Sequence, residues 1–192
     1  MAGNAETGSR PRRWNRWRMA GWGAAAGLLL LRLLAMQFTD EVNWGPGDFV
    51  VAGALVAGVG LTYELAVRMM ANGAYRAGVG VALAGAFILV WANLAVGIIG
   101  SEDDPANLMF YGVLGVGAMG AAVARFRAMG MARALLAMAL AQALVAVIAL
   151  VSGLGFAGAV TSLFVAFWLT AAWLFWKAAK EQSASGEGPE AA

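Results

Sequence analysis

The 192-residue chain contains no cysteine and no histidine. Without cysteine it forms neither disulfides nor thiolate-bound clusters, and without histidine it lacks the usual haem and copper ligand and the commonest general base. A metal site built from carboxylates alone, suited to Mg²⁺ or Ca²⁺, stays chemically open. The sequence also holds no complete catalytic or nucleotide-binding motif. We therefore predict a protein that is not an enzyme and that has no resident cofactor or metal.

Charged residues are also scarce. They make up 12% of the chain, whereas hydrophobic residues make up 61% and the mean hydropathy is +0.72. A soluble domain has about 25% charged and 45–50% apolar residues, so one water-soluble core cannot hide this much apolar surface. Lipid must be the solvent for most of the chain. The net charge of +2 does not indicate a nucleic-acid partner. The preference for arginine over lysine, with abundant alanine and glycine, is typical of a bacterium with a GC-rich genome.

Proline is nearly absent, and its four positions all fall outside the long apolar runs. A helix needs about 20 apolar residues to cross a membrane. Six runs meet this length: 19–38, 49–67, 74–99, 108–126, 131–151 and 157–175. Because the connections are short, sequential spans should be antiparallel neighbours. The predicted fold is an all-α, polytopic transmembrane helix bundle, and its unbroken spans differ from the interrupted helices of many transporters.

The charges that do occur are segregated between the two sides of these spans. One side holds the N-terminal arginines with Arg68, Arg76, Arg125, Arg127, Arg133, Lys177 and Lys180, and the other holds Asp40, Glu41, Asp48, Glu102, Asp103 and Asp104. Cytoplasmic loops of membrane proteins carry the excess of arginine and lysine. Both termini are therefore predicted to be cytoplasmic, in a multi-pass protein of the bacterial inner membrane.

The two ends of the chain are polar. Residues 1–18 contain Arg12, Arg13, Arg16 and Arg18 with tryptophans between them. This pattern is typical of a topology signal with aromatic anchors, and it also suits binding to anionic lipid headgroups. The first run should be an uncleaved span, so the transmembrane domain covers 19–180. Residues 181–192 are small and polar and are predicted to form a disordered cytoplasmic tail.

A few polar residues interrupt the apolar runs and form a candidate pocket. Arg32 should lie about 9 Å inside the outer interface, with Asn93 at a similar depth and Gln142 deeper. If the first and third spans face each other, Arg32, Trp91, Asn93 and Gln142 could line one pocket open to the periplasm. The structural alternative is that Arg32 extends toward the interface and that the amides bond between helices. Glu64 and Arg68, four residues apart, should form a local ion pair.

The outer acidic cluster, Asp40, Glu41, Asp48, Glu102, Asp103 and Asp104, is a second candidate site. Rings of carboxylates select cations or bind Ca²⁺. The alternative is that Asp48 and Asp104 cap helices while the other acids keep the loops in water. Asp104 directly precedes Pro105, which is the usual order of an N-cap and a first helical position.

Small residues are concentrated inside the spans. Gly78, Gly80, Gly117 and Gly120 are each followed four residues later by alanine. Such pairs allow helix backbones to approach closely. We predict these glycines to be helix-packing residues, with the third and fourth spans as the tight centre of the bundle.

Four stretches also resemble a family of small, uncharacterised bacterial inner-membrane proteins. They are GLTYELAVR at 60–68, YR at 75–76, WANLAVGIIGSEDDPANLMFYGVL at 91–114 and GMARALLAMALAQALVAVI at 130–148. The similarity covers roughly Asp48 to Lys180. The resemblance implies a shared bundle and a shared GSEDDPAN loop, with no activity attached.

Two functions suit these features best; an intramembrane enzyme comes third, because Glu64 and the outer acids are the only plausible bases and no nucleophile is paired with them. The first is a non-enzymatic accessory or scaffolding subunit that packs against other membrane-protein subunits, or against copies of itself, in contact with membrane lipids. The short loops and the small number of polar groups within the spans favour it. The second is a small-solute or ion transporter or channel that uses the polar pocket and the acidic mouth.

Overall fold

The computed structural model describes residues 45–95, 97–100 and 104–186, together with positions 22, 23, 27, 30 and 34. Some predictions fall outside this part of the chain. They concern segment 1–18 with Arg12, Arg13, Arg16 and Arg18, most of the first span including Arg32, the acidic residues Asp40, Glu41, Glu102 and Asp103, and positions 187–192.

The described residues form five α-helices and one short 3₁₀ turn, with no strand among them. The helices are α1 (Pro46–Met69), α2 (Gly73–Ala95), α3 (Leu108–Val123), α4 (Ala128–Val151) and α5 (Gly155–Gly186), and the 3₁₀ turn (Pro105–Asn107) directly precedes α3. The predicted all-α class is confirmed for this part of the chain.

All five helices, α3 taken together with the 3₁₀ turn that precedes it, are long and apolar enough to cross a membrane. Their outward faces are also apolar: Leu140 and Leu144 of α4 are 73% and 61% exposed, and Val123 of α3 is 86% exposed. A monomeric soluble protein rarely leaves such continuous apolar surface in water. The described helices therefore belong to a membrane protein.

The start of α1 corrects one predicted cap. Gly45 and Asp48 bond reciprocally, with the Gly45 N–H donating to Asp48 Oδ2 (2.8 Å) and the Asp48 N–H donating to the Gly45 carbonyl (3.1 Å). Gly45 thus occupies the N-cap position, with Pro46 at the first helical position and Asp48 in the first turn. Asp48 was predicted to be the N-cap itself. It stabilises the same helix start from three residues further on.

Helix α2 ends earlier than the predicted span, at Ala95 rather than at Ile99. Gly97 has a φ of +68°, and its N–H donates to the Asn93 carbonyl (3.2 Å). A glycine in this left-handed conformation is the common way for a helix to stop. The apolar run continues past the glycine, which is why composition alone extended the span.

Helix α3 ends in a Schellman motif, a helix-terminating pair of reversed hydrogen bonds, that contains no glycine. The Phe126 N–H donates to the Ala121 carbonyl (3.2 Å) and the Arg125 N–H to the Ala122 carbonyl (3.0 Å). Arg125 and Phe126 have φ values of +49° and +59°, which side-chain-bearing residues rarely adopt. The predicted fourth span, 108–126, therefore includes the turn that ends it.

Helix α5 is longer than the predicted sixth span, 157–175. It continues through the expected end of the sixth span at Phe175 and reaches Gly186. Ion pairing between Lys177 Nζ and Glu181 Oε1 (3.9 Å) accompanies this extension. The predicted disordered tail from Glu181 onward is thus wrong for residues 181–186, because polar composition does not prevent a helix from continuing.

The chain divides into two compact units, Met1–Gly60 and Leu61–Ala192. Within the second unit, the most extensive interface joins α4 and α5; α2 packs on α5 and α3 packs on α4. Helices α2 and α3 touch each other little. The prediction that the third and fourth spans form the tight centre is wrong. The fifth and sixth spans do, with Trp168 and Phe175 of α5 fully buried.

Close approach of α3 and α4 depends on two of the predicted packing glycines. A Cβ added at Gly117 would lie 2.6 Å from Met138 Sδ, and one at Gly120 would lie 2.6 Å from Ala134 Cβ and 3.2 Å from Ala134 Cα. Both positions therefore contact α4 in the way that small-residue pairs allow.

The two glycines predicted on the third span differ in what they contact. A Cβ at Gly78 would lie 3.2 Å from the Phe175 ring of α5, so this glycine lies in the α2–α5 interface. A Cβ at Gly80 would make only an ordinary contact with Tyr63 (3.4 Å). The tightest site on α2 is instead Gly85, where a Cβ would lie 2.9 Å from the Trp168 ring.

Candidate functional site

The α2–α3 loop is organised by the buried side chain of Asn107, which is 4% exposed. Its Oδ1 accepts from the N–H groups of Ile98 (3.2 Å) and Ile99 (3.0 Å), and its Nδ2 donates to the Ile99 carbonyl (3.0 Å). One amide thus satisfies three backbone groups that have left the helix. The loop backbone after α2 is fixed to the start of α3.

Asn93, near the end of α2, extends this arrangement. It is 3% exposed, and its Nδ2 donates to the Asn107 carbonyl (3.1 Å). Its Oδ1 is buried and has no hydrogen-bond partner within the described chain. A buried polar atom without a partner is destabilising, so Asn93 is a residue whose presence packing alone does not explain.

Asp104 closes the loop from the other side. Its Oδ1 accepts from the Ala106 N–H (2.9 Å), and Pro105 follows as the first residue of the 3₁₀ turn. The predicted N-cap at Asp104 is therefore confirmed. Gly100 has a φ of +63°, and a Cβ there would lie 2.6 Å from Asp104 Oδ2, so the turn requires glycine for both conformation and space.

A half-open cavity of about 400 Å³ lies at this loop. Its polar lining comes from Asn93, Asp104, Asn107 and Tyr111, and its apolar lining includes Leu94. The volume is at the small end of the range for ligand pockets. A carboxylate and amide groups beside an apolar wall can hold a small donor-bearing molecule or water. The lining contains no nucleophile paired with a base.

The residues of the predicted polar pocket have separate partners. Asn93 lines the cavity, whereas Trp91 stacks on Phe87 with ring centroids 5.8 Å apart. Gln142 is fully buried, and its Oε1 accepts from Trp168 Nε1 at 3.4 Å. Neither Trp91 nor Gln142 contributes to the cavity lining in the part of the chain that the structure describes. Arg32 lies outside that part.

The α4–α5 interface contains two further buried polar atoms without partners. Gln142 Nε2 and Thr161 Oγ1 make no hydrogen bond within the described residues. Sequence analysis identified Gln142 but not Thr161, because a threonine in an apolar run ordinarily bonds to a carbonyl of its own helix. Ser162 and Thr170 do so on α5, at 2.8 Å and 2.7 Å.

Of the predicted acidic cluster, Asp48 and Asp104 fall within the described chain, and each bonds to backbone N–H groups at a helix start. The described residues contain no group of three or more acidic side chains that could hold a metal ion. Both carboxylates thus stabilise a helix start, Asp104 as the N-cap and Asp48 from within the first turn.

The opposite end of the second unit is connected through Tyr75. Its hydroxyl donates to the Phe126 carbonyl (2.7 Å), and its ring meets Phe175 edge-on with centroids 4.9 Å apart. Asn72 Nδ2 donates to Glu181 Oε2 (2.8 Å) at the same end. The predicted Glu64–Arg68 ion pair is present on α1.

Sequence reasoning missed Asn107 and Tyr75, the residues that organise the two ends. An asparagine directly before an apolar run, as in DPAN followed by Leu108, is a usable signal for a residue at a helix start. Tyr75 lies in the two-residue stretch YR at 75–76, and the resemblance implies no role for it. Its hydroxyl reaches a carbonyl 51 residues later in the chain, and no local pattern indicates such a bond.

No family model, curated protein or solved structure matches this chain. The resemblance to small bacterial inner-membrane proteins therefore stays a prediction.

Proposed function

We propose that this chain is a six-span protein of the bacterial inner membrane, with both termini in the cytoplasm, that acts as a non-enzymatic accessory or scaffolding subunit. Its partners would be other membrane-protein subunits, or further copies of the chain, within the lipid bilayer.

The distribution of charge within the second unit supports the proposed orientation. The bonds from Tyr75 to Phe126 and from Asn72 to Glu181 connect the start of α2, the α3–α4 turn and the late part of α5. Arg125 and Arg127 flank Phe126 in the chain, and Lys177 and Lys180 precede Glu181. The loop at the other end of α2 carries Asp104 instead. Basic loops face the cytoplasm in most membrane proteins.

The observation that carries the subunit hypothesis is the outward face of α3. Gly112 and Gly115 have nothing within 4 Å of an added Cβ in the described chain, and Ala118 and Ala122 on the same helix are exposed. Gly117 and Gly120, by contrast, are filled by side chains of α4. A second small-residue face, with no neighbour among the described residues, suits helix association in lipid.

This arrangement decides which substitutions test the hypothesis. Leucine at Gly117 or Gly120 would disturb the bundle itself, because both face α4. Leucine at Ala118 adds bulk to the outward face without meeting α4. Ala137→Leu on the exposed side of α4 is the matched control.

The experiment is gentle detergent extraction from native membranes, followed by native-gel migration and mass spectrometry of the comigrating proteins. The wild-type chain and the Ala137→Leu variant should migrate in one larger assembly, and Ala118→Leu should release the chain from it. A wild-type chain that migrates as a monomer contradicts the hypothesis.

A small-solute transporter or channel is the second candidate, and the cavity beside Asn93 is the observation that favours it. Its opening would face the periplasm in the proposed orientation. Uptake into proteoliposomes should then fall in Asn93→Leu at unchanged expression and unchanged thermal stability. Uptake should persist in Gln142→Leu, since Gln142 does not line the cavity. Equal uptake in all three proteins would contradict this candidate.

A further inference from the structure

We propose that the basic end of the bundle binds the headgroups of anionic phospholipids. The basic end is defined here as Arg125, Arg127 and Arg133 of the α3–α4 region with Lys177 and Lys180 of α5. The proposal rests on the proposed function in one respect, namely that the helices cross a membrane with this end at the cytoplasmic surface.

Tyr75 links two of the segments that carry these residues. Its hydroxyl bonds to the carbonyl of Phe126, which lies between Arg125 and Arg127 in the chain. Its ring packs against Phe175, two residues before Lys177. The α3–α4 turn and the late part of α5 are thereby both held against the same side chain, and the cations next to these contacts are held with them.

The three arginines are available to a ligand. Arg125, Arg127 and Arg133 are exposed. The described carboxylates form no ion pair with any of these three arginines; the pairs Glu64–Arg68 and Lys177–Glu181 involve other cations. Charge complementarity therefore calls for an anion from outside the described chain.

The turn that carries two of them is held in one conformation. Arg125 and Phe126 stay in left-handed backbone conformations because three hydrogen bonds fix them, two to α3 carbonyls and one from Tyr75. Glycine would adopt this conformation more readily than arginine. Arg125 nevertheless occupies this left-handed position, and its side chain is exposed at the protein surface.

The apolar neighbours of these cations favour a lipid over a soluble anion. Trp173 and Trp176 are exposed, and the ammonium groups of Lys177 and Lys180 lie over their rings at 5.8 Å and 4.9 Å. Phe126, between the two arginines of the turn, is 57% exposed. Tryptophan with lysine or arginine is the composition of membrane interfaces, where acyl chains and phosphate groups are both present.

The test is native mass spectrometry of the full-length protein in detergent, titrated with phosphatidylglycerol, cardiolipin or phosphatidylcholine. The wild-type chain should retain the two anionic lipids in preference to phosphatidylcholine. The double variant Arg125→Gly and Arg127→Gln should lower this retention on the order of ten-fold. The control Arg68→Gln removes a cation already paired with Glu64, and it should change retention less than about two-fold.

Three results would overturn the proposal. The wild type could retain phosphatidylcholine as well as the anionic lipids, or the double variant could retain the anionic lipids as well as the wild type does. An equal loss of retention in Arg68→Gln and in the double variant would show that only the net charge of the protein matters. Thermal unfolding of each variant separates loss of binding from loss of folding.

A second measurement separates this proposal from the proposed orientation. The natural chain contains no cysteine, so Met129→Cys gives a single labelling site beside the turn. It should react with an impermeant thiol reagent in inverted membrane vesicles and not in intact spheroplasts. Labelling from outside would refute the orientation, while the lipid retention measured in detergent would still decide the binding site.

Discussion

Replacing Asn107 by alanine should be the most destabilising polar substitution in the described chain. The change removes the acceptor for the N–H groups of Ile98 and Ile99 and the donor to the Ile99 carbonyl. Ile99 is 2% exposed, so water does not replace the lost partners at that residue. Each buried backbone group left without a partner costs about 1–3 kcal/mol, and two such groups give roughly 2–6 kcal/mol of unfolding free energy.

The variant Asn107→Asp refines this prediction. A carboxylate keeps the acceptor for the two N–H groups but loses the donor, and it turns an oxygen toward the Ile99 carbonyl that Nδ2 now contacts. A protonated carboxyl group restores a donor. Asn107→Asp should therefore be intermediate in stability at neutral pH, and its deficit relative to the wild type should shrink as the pH falls, because the fold pairs with the protonated carboxyl better than with the carboxylate.

The assay is reversible unfolding of the full-length protein in mixed micelles, followed by tryptophan fluorescence. Asn72→Ala is the comparison, because its Oδ1 caps the start of α2 by accepting from the Tyr75 N–H (2.8 Å) and its Nδ2 donates to Glu181 at an exposed site. Loss of such a cap costs about 1 kcal/mol. If Asn107→Ala is no more destabilising than Asn72→Ala, the bonds to Ile98 and Ile99 do not have the role assigned to them.

Three further predictions concern backbone and packing, each measured by the same unfolding assay. Gly120→Ala should cost about 1–3 kcal/mol of unfolding free energy because an added Cβ meets the backbone of α4. Gly117→Ala should cost less because its Cβ meets the movable end of a methionine. A larger loss in Gly117→Ala than in Gly120→Ala would contradict the described interface. Gly153→Ala should destabilise by about 1 kcal/mol because Gly153 has a φ of +78°. Arg125→Gly should stabilise the protein, because glycine adopts a positive φ more readily than arginine; a destabilised Arg125→Gly would show that the arginine side chain supports the fold. Gln142→Leu should change the unfolding free energy by less than about 1 kcal/mol, because one weak bond is lost and an amide nitrogen without a partner is removed; a loss of several kcal/mol would indicate a partner that the described residues do not show.

Much of the secondary structure was predictable because apolar composition over 20 residues is a strong signal. The helix starts at Pro46 and Leu108 lie within three residues of the predicted ones. The helix ends were harder to predict, since Gly97 stops α2 within an apolar run and Arg125 stops α3 without the usual glycine. The residues before and after these stops are similarly apolar, so composition carries little information about where a helix ends.

The pairing of helices could not be predicted from spacing alone. Gly78 and Gly117 show the same small-residue pattern, yet the first faces α5 and the second faces α4. The pattern says that a helix is approached closely but does not say by which neighbour.

The candidate site was predictable only in part. Asn93 was identified because an amide within a membrane span is costly. Its partner Asn107 was not identified, because a polar residue in a loop is unremarkable until its surroundings are known to be dry.

The length of α5 has a consequence for how deeply the protein sits in a bilayer. Its 32 residues extend about 48 Å at 1.5 Å per residue, roughly 18 Å more than the hydrocarbon thickness. If Gly155 marks one membrane surface, an upright α5 leaves the other near Phe175. The final turns then stand clear of the lipid, with Glu181 bonded back to Asn72 as a lateral brace. Truncation after Lys180 should leave membrane insertion intact and remove the Glu181 carboxylate, which ties the start of α2 to α5.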